Sequence, residues 1–267
     1  MTVWLNGALA GAEARIDPAD RGFTLGDGVF ETIRVQGGVP RHLGRHLERL
    51  RAGTERLGFR VGYDDAALAD GMLALLAAEG LTDAALRLTV TRGPAPRGLL
   101  PPAHPTPTVL MGAAPLPALP AELRAVIAAV TRRNEHSPLA RIKALGYLDN
   151  ILARQEAAER GADDAILLNT AGRVAETTIA NLFVRLGDTV ATPPVEEGAL
   201  PGIARGRVLA ALGVAERPLA AADLAAADEI VLTNSLGLRA VVVLDGETVG
   251  AGAAGPLYGA LTKVFEE

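Results

Sequence analysis

The sequence contains no cysteine. That excludes a disulfide, a zinc–thiolate centre and a thiol nucleophile, and no metal site is expected. No stretch approaches the roughly 20 apolar residues that cross a bilayer. The opening segment MTVWLNGALAGAEARIDPAD has no basic start and no long apolar core, so it does not read as a signal peptide. A cytoplasmic location is the expectation. There is no excess of positive charge either. The formal net charge is −5, whereas a nucleic-acid partner would call for a basic face.

Lysine is nearly absent. Of 26 Lys and Arg residues, only Lys143 and Lys263 are lysine. Arginine serves wherever a surface cation is needed, so a retained lysine raises a chemical question. A guanidinium stays protonated and does not condense with an aldehyde at neutral pH, whereas an amine can. Lys263 lies in the tail LTKVFEE, which reads as a fraying terminus, and no role is expected for it. Lys143 lies in the segment RIKALGYLDN.

What is present suits a globular chain. Apolar residues make up 49% and charged residues 21% of 267, enough for one large domain or two modest ones. TVWLNGAL reads as a short strand, and GVFETIRVQGG with VPR as a hairpin. HLGRHLERLRAGTERLGF carries Leu43, Leu47, Leu50 and Leu57 on one helical stripe. AALADGMLALLAAEG is a second helix, closed by Gly80. ALRLTVTRG and TPTVLMGA read as strands. AAPLPALPAE, with three prolines in six residues, cannot be a helix or a central strand. It is taken as a linker at 114–120, between a smaller domain at 1–113 and a larger one at 121–267. Beyond it, LRAVIAAVT, DDAILLN, GRVAET, ANLFVRL, DTVAT, DEIVLTN and RAVVVLDG read as strands. GYLDNILARQEAAERG and GIARGRVLAALG read as helices. The fold class expected is α+β, two domains, the larger with a mixed sheet or barrel-like core.

Several segments carry chemistry. Lys143 stands just before a helix. Glu176 ends the strand in GRVAETTIANLF and is followed by Thr177 and Thr178. Pro201 and Gly202 directly precede a helix, so the N–H groups of Ile203 and Ala204 can face an anion. TNS at 233–235 ends another strand. An amine, an acid and an anion cradle are the parts needed to hold pyridoxal 5′-phosphate (PLP). Its aldehyde condenses with the amine, its ring nitrogen needs an acid, and its phosphate needs N–H donors and a cation.

With these residues in place, the chain resembles the class IV aminotransferases, the fold-type IV PLP enzymes. The likeness runs through NGALAGAEARIDPADRGFTLGDGVFETIRV, HLERL, LTVTRG, IKALGYLDNILARQEAAERGADDAILLNTAGRVAETTIANLF, LPGIARGRVL and DEIVLTNSLGLRAVVVLDG. The resemblance implies that Lys143 is the Schiff-base lysine and shuttles the substrate's α-proton. Glu176 is implied to pair with the pyridine nitrogen, and Arg49 to bind the phosphate. Ile203 and Ala204 are implied to form the backbone phosphate cup, closed by Ser235. Ile179, Ala180, Leu200 and Gly202 are implied to line the cofactor. Tyr147 stands where some members carry a tyrosine near the cofactor's phenolic oxygen, offset by one residue from the branched-chain enzymes. A homodimer with active sites at the subunit interface is implied as well.

Substrate choice in such enzymes depends on GVFETIRV and on the loop after LTVTRG. Alternation puts Phe30, Thr32 and Arg34 on one strand face. D-amino acid aminotransferases carry an R-x-H pattern in the loop. Here Arg97 is present, but Leu99 stands at the histidine position, and Phe30 stands where those enzymes have tyrosine. Arg34 with Arg97 forms an alternative carboxylate grip. The resemblance implies amino-group transfer between an amino acid, with a D-amino acid placed first, and a 2-oxo acid. The alternative is a 4-amino-4-deoxychorismate lyase, which shares GDGVFETIRV, Arg97–Gly98 and TNSLG and for which Thr32 is a candidate hydroxyl. A branched-chain aminotransferase is the weaker alternative.

Overall fold

The computed structural model describes residues 2–266. The outermost residues of the two expected domains, Met1 and Glu267, lie outside the described residues. The chain divides into two compact units. One takes the described residues through Pro117 and also Ile142–Gly146; the other takes Ala118–Arg141 and the chain from Tyr147 onward.

In the first unit β1 (Val3–Leu5) and β2 (Ala8–Ala10) form a hairpin where one strand was expected. A short helix, α1 (Arg21–Leu25), follows. Then come β3 (Gly28–Gln36), β4 (Val39–Pro40), α2 (Leu43–Arg56), α3 (Asp65–Glu79), β5 (Ala84–Thr91) and β6 (Thr108–Pro115). The six strands form an antiparallel sheet in the order β2-β1-β6-β5-β3-β4. The period-2 alternation of β3 buries Val29, Ile33 and Val35 with Leu86, Leu88 and Val90 of β5. Leu47 and Leu50 of α2 and Leu68, Met72 and Leu75 of α3 complete this core. Gly80 ends α3 in the left-handed conformation, as its position in the sequence suggests.

Ile142–Gly146, expected within the C-terminal domain, belongs with this first unit. The reason is hydrogen bonding. The Phe30 N–H donates to the Lys143 carbonyl (2.9 Å), and the Leu145 N–H donates to the Gly28 carbonyl (3.0 Å). Val29 bridges Ala144 in antiparallel register. Ile142 joins the first unit's core.

The second unit contains β7 (Glu122–Ile127), α4 (Leu148–Glu159), β8 (Asp164–Leu168), β9 (Val174–Thr177), β10 (Asn181–Leu186) and β11 (Thr189–Thr192). It continues through α5 (Ile203–Ala211), β12 (Ala215–Glu216), α6 (Ala221–Ala225), β13 (Glu229–Asn234), β14 (Gly237–Leu244), β15 (Glu247–Thr248) and α7 (Pro256–Glu266). Its strands form a curled mixed sheet, β12-β11-β10-β13-β14-β7-β8-β9, with β15 beside β14. The β14–β7, β7–β8 and β11–β12 pairs are parallel. One face buries Leu123, Ile166, Leu182, Ile230 and Val241. The tail expected to fray is instead the helix α7. Its Leu257, Leu261 and Val264, spaced for one face, pack with Phe183, Val208 and Val231. The buried carboxylate of Glu229 receives the N–H groups of Gly255, Leu257 and Tyr258, which anchors the start of that helix. Among the described residues no helix is long and apolar enough to cross a membrane.

Candidate active site

Lys143 is positioned by strand pairing. Because Ala144 faces Val29 and the Lys143 carbonyl binds the Phe30 N–H, Lys143 shares the sheet face of Phe30. Its Nζ lies 4.4 Å from the centre of the Phe30 ring. The same ring carries the guanidinium of Arg87 at 3.8 Å. Thr32 and Arg34 continue this face along β3, and Arg87 pairs opposite Thr32 on β5. An ammonium and two guanidinium groups therefore stand on one side of one sheet, a surface suited to carboxylates.

The other face of β3 holds an exception to the apolar pattern. Glu31 occupies the register of Val29, Ile33 and Val35 and is fully buried. Its carboxylate accepts from Arg49 Nε (2.8 Å) and Nη2 (2.6 Å), and lies 2.7 Å from His46 Nδ1. Both partners come from α2. Burial pushes the Glu31 carboxyl up, but the hydrogen bonds and charges of His46 and Arg49 outweigh it and hold it below the ordinary range. Arg49 is thus held as a fixed, nearly buried cation.

In the second unit, Glu176 lies near the end of β9 with its side chain 8% exposed. Arg133 Nη2 approaches Oε1 at 2.9 Å, and the Leu200 N–H donates to Oε2 at 2.9 Å. Arg133 supplies the counter-charge that a buried carboxylate needs. The turn after Glu176 is closed by Thr177, whose N–H donates to the Ala180 carbonyl (2.8 Å) and whose Oγ1 receives the Ala180 N–H (3.1 Å). The turn also rests on Asp164, a buried carboxylate bound by the Thr178 hydroxyl (2.5 Å) and by Arg154 (2.7 Å). Ile179 is partly exposed at its tip.

Leu200, Gly202, Ile203 and Ala204 form the entrance to α5. Asn181 Nδ2 donates to the Leu200 carbonyl at 2.9 Å. A Cβ on Gly202 would lie 2.0 Å from Asn181 Oδ1, so any larger residue in this turn must displace the Asn181 side chain. Gly202 is the N-cap of α5, and no side chain caps the helix. The first-turn N–H groups are thereby left for an anion, which the helix dipole favours. Ser235, half-buried, directly follows β13. Tyr147 is the N-cap residue of α4 and half-buried.

The residues expected from sequence therefore form two groups. Phe30, Thr32, Arg34 and Lys143 share a face in the first unit, with Arg49 held from the opposite face. Glu176, Ile179, Ala180, Leu200, Gly202, Ile203 and Ala204 lie on connected turns of the second. Arg97 is exposed in the long β5–β6 loop. Amine, carboxylate, guanidinium and uncapped helix start match the chemistry of PLP, so the residues present fit that cofactor. Four residues went unrecognised in the sequence: Glu31, His46, Arg87 and Arg133. Glu31 did leave a signal, as an acid in an otherwise apolar alternation.

Known proteins resemble this chain along most of its length. The family model described as amino-transferase class IV matches residues 28–243. A putative branched-chain-amino-acid aminotransferase from Methanocaldococcus jannaschii is 33% identical, over 100% of this chain and 96% of the relative. The D-alanine aminotransferase of Bacillus licheniformis is also 33% identical, over 96% of this chain and 93% of its own length. The crystal structure of 4-amino-4-deoxychorismate lyase from Pseudomonas aeruginosa superposes with a TM-score of 0.85 and 36% identity, covering 98% of this chain and 97% of that one. The chain belongs to the class IV aminotransferases, which are PLP-dependent enzymes acting on amino acids and 2-oxo acids.

Proposed function

We propose that this enzyme moves an amino group between a D-amino acid and a 2-oxo acid, with Lys143 holding the cofactor. The observation that carries the reading is the Phe30 ring, flanked by the Lys143 ammonium and the Arg87 guanidinium. A carboxylate drawn to Arg87, with Arg34 on the same face, brings its α-carbon toward the lysine. Bound PLP supplies the electron sink for cleavage at that carbon. Lys143 Nζ takes up and returns the α-proton. The Glu176 carboxylate holds the ring nitrogen. Arg49 and the N–H groups of Ile203 and Ala204 hold the phosphate, with Ser235 closing the cup. Likeness to the D-alanine aminotransferase over 96% of the chain supports the choice of donor. Two copies form the working enzyme in this reading.

A second reading is the lyase, which releases pyruvate and 4-aminobenzoate. The observation in its favour is the 36% identity to the Pseudomonas lyase over 98% of the chain. The Thr32 hydroxyl, on the Lys143 face, is its candidate proton donor.

The test has two parts. Borohydride treatment of the yellow holoenzyme should fix the cofactor to the tryptic peptide containing Lys143, and a Lys143→Ala protein that still turned over would sink the assignment. Purified enzyme is then given D-alanine or D-glutamate with a 2-oxo acid, L-leucine with a 2-oxo acid, and aminodeoxychorismate. Transfer from the D-amino acids is expected. Pyruvate and 4-aminobenzoate from the last substrate, without transfer from the first, would replace this reading with the lyase.

A further inference from the structure

The loop from β5 to β6 runs from Arg92 to Pro107 without regular structure. Loops of that length in compact domains are usually either functional or disordered. This one ends its outward course at Arg97, Gly98, Leu99 and Leu100, all exposed. Yet its tip is fastened from inside. Arg21, 4% exposed at the start of α1, spends all three guanidinium nitrogens on one task. Nη1 donates to the Gly98 carbonyl (2.8 Å), Nη2 to the Leu99 carbonyl (3.0 Å), and Nε to Asp27 Oδ2 (2.8 Å).

Asp27 is itself fixed. Arg92 donates to its carboxylate from Nε (2.7 Å) and Nη2 (3.1 Å), and Nη2 also reaches the Leu57 carbonyl (2.7 Å). The base of the loop is tied as well, because the Arg21 N–H donates to the Gly93 carbonyl (3.0 Å). Asp27 directly precedes β3, which carries Phe30 and Thr32. Gly98 has φ +140°, a conformation that L side chains rarely adopt. The backbone on the C-terminal side of Arg97 is therefore set by a buried guanidinium, and an arginine fork can do this where an ammonium cannot.

We propose that Arg21 is a positioning residue for substrate recognition. It latches the loop tip so that Arg97 is presented to the substrate carboxylate without first being ordered. Ordering a free loop on each binding event would cost affinity. The inference rests on the reading above, in which a 2-oxo acid is a substrate, and on the expectation from the sequence that Arg97 joins Arg34 in gripping its carboxylate.

The experiment uses the holoenzyme with Arg21→Met and, as a variant that leaves the buried arginine intact, Gly98→Ala. A Cβ at Gly98 meets no atom within 4 Å, so that change acts through the loop backbone rather than through packing. Trypsin cuts after arginine, so cleavage of the Arg97–Gly98 bond, followed by mass spectrometry, reads the latch without any turnover. Both variants should be cut there about tenfold faster or more, the scale of one lost charge-assisted hydrogen bond. KM for the 2-oxo acid should rise about tenfold, while kcat changes less than about threefold and the PLP titration is unaltered. Arg21→Lys should not restore the latch. Unchanged cleavage in both variants overturns the proposal, as does faster cleavage with unchanged KM. Arg97→Ala separates the two failures. If it leaves KM unchanged, the assignment of Arg97 is the faulty step, and the trypsin result still reports whether the latch exists.

Discussion

Removing Arg133 should reveal how the second unit tolerates a buried acid. The perturbation is Arg133→Met, which keeps the aliphatic stem and deletes the charge. The pair it breaks is short, 2.9 Å, and mostly buried, with side chains 19% and 8% exposed. Fully buried pairs cost about 3–5 kcal/mol when one partner is removed, and exposed ones about 0–1. The Leu200 N–H still reaches Glu176 in the variant and offsets about 1 kcal/mol. The expected loss is thus about 2–3 kcal/mol, equivalent to roughly 4–12 °C in melting temperature at this chain length. Glu176→Gln keeps an acceptor for Leu200 without the charge. In the Arg133→Met background it should therefore cost little or even recover stability, giving a coupling of about 2 kcal/mol in the double-mutant cycle. The assay is urea unfolding of the cofactor-free proteins at one fixed concentration, because ligand and subunit binding both shift apparent stability. A coupling below about 0.5 kcal/mol would show that Arg133 does not compensate Glu176, and the reasoning would fail.

Two further outcomes are expected. Gly202→Ala forces Asn181 away from the Leu200 carbonyl and tilts the start of α5. PLP affinity should fall about tenfold or more, the scale of one displaced anion contact, as read by absorbance titration; an unaltered dissociation constant would remove α5 from the phosphate site. Acid should also unfold this protein through particular carboxylates. Glu31 and Asp27 are each opposed by burial but held below their ordinary values by arginines, with His46 helping at Glu31. A carboxyl depressed in the folded state stabilises above its unfolded value, near about pH 4, and that contribution is lost as pH falls through the folded value. Melting temperature measured between neutral pH and pH 3 should therefore fall less steeply for Glu31→Gln and Asp27→Asn than for the parent, even if both start lower. A parallel acid limb would contradict the assignment.

The residues proposed for the site on chemical grounds stand out in the sequence. Lys143 stands out because it is one of two lysines among 26 basic residues, and arginine cannot replace an amine in condensing with an aldehyde. Pro201–Gly202 stood out because a proline–glycine step before an apolar helix exposes N–H groups. Arg87 was hidden by its regularity, since a polar residue on the outward face of an alternating strand looks like any solvated charge. Glu31 broke the inward pattern, but its partners lie on α2, and no local period reports which helix covers which strand. Arg133 sits in TRRNEH beside Arg132, and only the fold distinguishes the buried-acid partner from its exposed neighbour. The terminal helix is less legible, although Leu257, Leu261 and Val264 have helical spacing. Glu229 and the core around Phe183, both remote in sequence, hold it in place.

The pairing of Val29 with Ala144 sets an order of events during translation. When Pro117 leaves the ribosome, every strand of the six-stranded sheet has been made, but the segment carrying the lysine has not. The chain must first supply β7 and the stretch around Arg133 before Ile142–Gly146 can close against β3. Domains commonly mature as units while synthesis proceeds. This first unit is completed only later, because Ile142–Gly146 arrives from beyond its own boundary. A gene cut between Pro117 and Ala118 would accordingly yield one piece without its lysine and another carrying that lysine with no strand to receive it.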